Sequence, residues 1–223
     1  MTKSGVRRSE VSALAGIALV LLFLWNTLLV YPLRVLVVFF HELAHAAAAL
    51  ATGGSVHLIH VNAFEGGLTI TRGGNSLVML SAGYLGSLLI GGGILVWSSR
   101  SHAPQRISRA LGAVLLVATI WLVRPIVGFG FVFGLVTSGV LLAFADSLGR
   151  AGNAFVLKVI GLASCLYAVY DIWSDVLSRR DIVTDADLLA TGTGIPALVW
   201  GLLWMTIAVA GAVFFVREAC RER

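Results

Sequence analysis

His41, Glu42 and His45 stand in the stretch VVFFHELAHAAAAL, Val37 to Leu50, among almost nothing but apolar residues. On a helix, residues four apart lie one above the other on a single face, so both imidazoles can reach one ion. Glu42 lies to the side of that pair, near enough to take a proton from water without being a ligand. His-Glu-x-x-His on a helix is the arrangement in which two histidines bind zinc and the glutamate acts as general base. Imidazole suits zinc, and a catalytic site keeps one position open for water. The setting adds its own argument: ionisable residues inside hydrocarbon are costly unless they face a bundle interior or a wet cavity.

Such a site needs a third protein donor. The strongest candidate is Asp171 in SCLYAVYDIWSD, set between Tyr170 and Ile172 in an apolar run; Asp175, one turn later on the same face, is the reserve. One of the two would ligate while the other supports it from outside. Asp175, Asp185 and Asp187 read first as solvated or arginine-paired carboxylates. His57 and His60 are rivals close in sequence, with the Gly53-Gly54 turn between them and the helix. All of these stay open as third ligands.

The elements that position these groups are membrane spans. Of 223 residues, 58% are apolar and 12% charged, against about 25% charged in ordinary soluble domains; mean hydropathy is +0.94. Apolar segments fall at about 12–30, 33–51, 76–97, 110–123, 126–145, 155–173 and 195–216. A span needs about 20 residues, so the fourth is short by itself. We expect an all-α polytopic membrane protein, a bundle of six or seven transmembrane helices, seven being favoured, in one membrane-embedded domain over 1–223. The basic N-terminus followed by a long apolar run reads as an uncleaved first span rather than a signal peptide. The net charge of +5 comes from arginines that mostly flank apolar runs, which suits lipid headgroups and not nucleic acid. Lys3, Arg7 and Arg8 favour a cytoplasmic N-terminus, but with seven spans Arg100, Arg106 and Arg109 would then lie outside, against the positive-inside rule. Cys165 and Cys220 make no disulfide framework.

Residues 52–74 break the pattern. Val56–Val61 and Leu68–Thr71 are strand-like, and Phe64-Glu65-Gly66-Gly67 between them reads as a turn. A small β-hairpin therefore follows the HExxH helix, at the interface or folded back over the bundle. It serves either as a connector or as an edge strand that contacts substrate. Asn62, Glu65, Asn75 and Ser81 are candidates for the mouth of a water channel, with turn or cap roles as the alternative; Asn75 is also placed to hold an oxyanion. The many glycines, among them Gly83, Gly86 and Gly91, read as close-packing positions.

HELAHAAAALATGG, EGGLTITRGG and LSAGYLGS, with the later SCLYAVYDIWSD and DADLLATGTGIPALVWGLLW, resemble the compact bacterial branch of the site-2 protease-like intramembrane zinc metallopeptidases. The resemblance runs from Pro32 to about Trp204. It implies hydrolysis of a peptide bond in or near a membrane-spanning substrate, with Zn2+ on His41 and His45 and Glu42 activating water. It also implies a multi-pass protein of the bacterial cytoplasmic membrane, acting on a membrane-protein or membrane-proximal peptide substrate, with room for a regulatory membrane partner. The family's third ligand is an aspartate in a later span, usually in Leu-Asp-Gly; that motif is missing here, and Asp171 is the nearest positional match. A transporter or metal-handling protein, or a noncatalytic scaffold holding zinc, are the competing classes. The first predicts inverted repeats, which the halves do not display; the second leaves Glu42 without a task.

Overall fold

The computed structural model describes residues 7–178 and 183–222; Lys3 lies outside them. Eight α-helices and one hairpin follow in order: α1 Arg8–Phe23, α2 Tyr31–Ala51, β1 Ser55–Val61, β2 Gly67–Arg72, α3 Ser76–Arg100, α4 Pro104–Leu122, α5 Phe129–Ser147, α6 Gly149–Ile172, α7 Asp185–Thr193 and α8 Ala197–Cys220. The chain is thus a helical membrane bundle with a small antiparallel hairpin directly after the HELAH helix, as expected.

Six helices among the described residues are long and apolar enough to cross a bilayer: α2, α3, α4, α5, α6 with its continuation to Val176, and α8. The first apolar run, expected as a seventh span over 12–30, yields only the 16 residues of α1. The chain turns through 24–30, where the Thr27 hydroxyl donates to Leu24 O at 2.6 Å and Pro32 cannot continue an incoming helix. The short fourth run is instead a full helix of 19 residues. Its first turns carry Gln105, Arg106 and Arg109, which a hydropathy reading discounts.

Arg7 and Arg100, which seemed to demand opposite faces, meet at one end. Arg7 N donates to Cys220 O at 2.9 Å, and its guanidinium donates to Ala219 O at 2.6 Å and Ser99 O at 3.3 Å. Arg100 pairs with Glu218 at 2.6 Å. Lys158, within α6, reaches Glu10 at 2.5 Å, and Ser99 donates to the same carboxylate at 2.9 Å. The start of α1 and the ends of α3 and α8 are therefore clasped together. Arg7 and Arg100 share this face, so the conflict over sidedness disappears.

α3 and α6 form the centre of the bundle. Their backbones nearly touch: a Cβ on Gly161 would stand 2.6 Å from Gly91 O, and Ser164 donates to Ser87 O at 2.8 Å across the same contact. Without water to drive association, such close approach and interhelical hydrogen bonding hold membrane helices together.

The hairpin matches the expected strands to within a residue at each end. β1 and β2 pair antiparallel, with an irregularity at His57. The tip is built locally: Asn62 Oδ1 accepts from Phe64 N and Gly66 N at 2.8 and 3.1 Å, and Glu65 takes φ +62°. β1 is anchored on its outer side by a bridge from Ile59 to Val123 and by Arg124 N donating to Ile59 O at 2.9 Å. β2 has no further strand beside it among the described residues.

Candidate metal centre

α2 presents His41 and His45 on one face, with ring centroids 4.7 Å apart. The helix ends at Thr52-Gly53, where Gly53 adopts φ +83°, a conformation suited to glycine. Thr52 Oγ1 accepts from Asn75 N at 3.0 Å, and Asn75 Oδ1 accepts from Val78 N at 3.1 Å as the N-cap of α3. The two helices that frame the site are thus tied where one stops and the other starts. This cap is the role the structure gives Asn75. Ser81 is likewise engaged, accepting from Trp204 Nε1 at 3.2 Å.

His45 Nδ1 lies 2.7 Å from Met79 O. A carbonyl can only accept, so the ring donates through Nδ1 and its Nε2 faces inward. His41 Nδ1 is buried without a hydrogen bond, and its nearest carboxylate is Asp171, with Oδ2 at 3.5 Å. Tyr84 meets His41 in a T-shaped contact with ring centroids 4.8 Å apart; its hydroxyl donates to Asp175 Oδ2 at 3.2 Å, and its ring packs on Trp204 at 5.3 Å. The SAGYLG and PALVWGLLW stretches therefore meet behind the imidazole pair.

The carboxylate that meets both inward nitrogens comes from α7. Asp185 Oδ2 stands 3.3 Å from His41 Nε2 and 3.2 Å from His45 Nε2. His41, His45 and Asp185 are the metal-capable group found among the described residues. Asp171 sits instead on the other ring nitrogen of His41, and Asp175 on Tyr84. His57 and His60 remain on β1, outside the group. Asp185 is fixed by its helix start: Thr184 Oγ1 accepts from Asp187 N at 3.3 Å, while Asp187 Oδ2 accepts from Thr184 N at 2.9 Å, a capping box. Asp187 is therefore a cap. Burial alone would raise the Asp185 carboxyl, yet its bonds to His41 and His45 hold it well below the usual carboxylate range.

The spacing suits zinc. Bonds of about 2.0–2.1 Å in a tetrahedral site separate neighbouring donors by roughly 3.3 Å, which both Asp185 distances match. Space is also reserved: a Cβ on Gly83 would fall onto Nε2 of both histidines. Gly83→Ala is accordingly expected to lose stoichiometric zinc while helical content by circular dichroism stays unchanged; a metal content equal to that of the unmodified protein would show that the cradle is dispensable.

Glu42 is 4% exposed and held from the hairpin. Thr69 Oγ1 lies 2.6 Å from Glu42 Oε2 and 3.0 Å from its backbone carbonyl, and a Cβ on Gly67 would overlap the carboxylate. Histidines, glutamate and Asp185 open into one cavity of about 470 Å³, lined also by Thr69, Thr71, Met79, Leu80 and Leu188. Glu65 also reaches this cavity while paired with Arg34 at 3.0 Å.

A family model described as Peptidase M50B-like matches residues 14–215. Neither the curated proteins nor the solved structures contain a match.

Proposed function

The chain belongs to the Peptidase M50B-like family, and from that premise we propose that it is a zinc metalloendopeptidase cutting a peptide bond in or beside a membrane-spanning substrate. Family membership and six spans make it a multi-pass integral membrane protein of the metallopeptidase class, in keeping with the site-2 protease resemblance of its motifs. The observation that carries the finer reading is the meeting of His41, His45 and Asp185 within one cavity beside Glu42. We assign His41, His45 and Asp185 as ligands, and Asp171 as the carboxylate that steadies His41 through Nδ1. The membrane is inferred to be the bacterial cytoplasmic one from the branch the motifs resemble.

When bound, zinc supplies Lewis acidity and makes a water easier to deprotonate at neutral pH. The protein's own groups do the rest. Glu42 takes a proton from water as its oxygen forms a bond to the scissile carbonyl carbon; the carbon–nitrogen bond then breaks, and Glu42 returns the proton to the leaving amine. Thr69 orients the carboxylate by its hydroxyl. A substrate helix hides its carbonyls in its own hydrogen bonds, so it must unwind before attack. The free side of β2 can pair with the extended stretch, bringing it over Glu42.

The test is metal removal. Purified protein in vesicles should cleave a synthetic membrane-spanning peptide, stop after treatment with a zinc chelator, and recover on addition of zinc. Cleavage that continues with a verified zinc content of zero would sink this reading.

A further inference from the structure

We propose that the groove between the first turns of α3 and helix α7 is where the apolar membrane-spanning segment of a substrate docks before its chain reaches Glu42. This rests on the protease reading. The groove has a volume of about 420 Å³ and is lined by Leu77, Met79, Leu80, Leu188, Gly192 and Thr193, among others; none of the described residues that line it is charged. Leu77 is 46% exposed and Leu188 50%.

Two observations make it more than a lipid-facing surface. Met79, Leu80 and Leu188 line both this groove and the catalytic cavity, so the two spaces adjoin at three shared side chains. That cavity is lined as well by Thr69 and Thr71 of β2. A segment entering from the groove passes from an apolar surface suited to a helix to a polar space bounded by a strand edge, the order in which a helix must first be held and then opened. α7 has nine residues and covers roughly 14 Å, under half of the about 30 Å hydrocarbon depth.

Gly192 supplies the test. A Cβ there meets nothing within 4 Å, and its φ is not in the left-handed region, so a larger side chain can fill the groove without strain in the fold. Two probes are needed: a synthetic peptide with a 20-residue apolar span (~20 residues cross a bilayer), reconstituted with the protein in vesicles, and a short soluble peptide containing the same cleaved bond. Gly192→Trp should lower kcat/KM for the spanning peptide by about tenfold or more, leave the short peptide and zinc content unchanged, and Gly192→Ala should resemble the unmodified protein. In the Glu42→Gln background, a photocrosslinking residue replacing Leu77 should capture the spanning peptide, whereas one replacing Val140, exposed on α5, should not. Equal effects of Gly192→Trp on both peptides, or capture at Leu77 no greater than at Val140, would overturn the proposal. Failure of the unmodified protein to cleave either peptide would instead count against the protease reading, and the crosslinking comparison would still decide the groove.

Discussion

Glu42→Gln is expected to keep its zinc and to lose about 10³-fold in peptide hydrolysis, within the range general acid–base groups contribute. Glutamine has the same shape, so the substituted side chain still fits over Gly67, where no Cβ intrudes, and its amide oxygen still accepts from Thr69. What it cannot do is take a proton from water. The two imidazoles and Asp185 are untouched, so zinc should stay stoichiometric by metal analysis. His41→Ala and His45→Ala should behave differently, losing metal and hydrolysis together. Hydrolysis by the Glu42→Gln protein at the unmodified rate would remove the glutamate from the mechanism altogether.

Asp185→Ala is expected to weaken zinc binding by more than about 100-fold, and Asp171→Asn by about 10- to 100-fold, the range seen for outer-shell groups. The difference follows from position. Asp185 Oδ2 lies against the inward nitrogens of both histidines, whereas Asp171 faces only the outward nitrogen of His41. Asparagine at 171 retains an oxygen that can face Nδ1, so the ring should keep its orientation in part. Titration against a competing chelator separates the two variants. Should Asp171→Asn strip the metal while Asp185→Ala retains it, the assignment of ligand and supporting carboxylate would have to be exchanged.

The sequence reveals the HELAH helix because the chemistry is local: two histidines four apart on a helix need no tertiary information to share a face. The hairpin is equally legible, since Asn62, Gly66 and Gly67 mark its turn and β-branched residues its strands. Asp185 is harder. It follows a stretch with two arginines, where a carboxylate reads as solvated, and its place beside α2 depends on how α6 ends and the chain returns. A π-helical turn at Trp173–Ser178 precedes that return and has no composition of its own to announce it. One clue is present: Thr184 and Asp187 have capping-box spacing, which puts Asp185 in the first turn of a helix. Asp171, chosen for its depth in an apolar run, does reach the site, but at the far side of His41. The end of α1 at Phe23 is obscured because residues on both sides are apolar, and hydropathy cannot tell a turn within an apolar run from a continuing helix.

The clasp between Arg7 and Cys220 makes a statement about compartments. Arg7 and Cys220 lie at one end of the bundle, so between them the backbone must traverse the bilayer an even number of times. An epitope fused to either end would be shaved from sealed vesicles by added protease together with its counterpart, or both would survive.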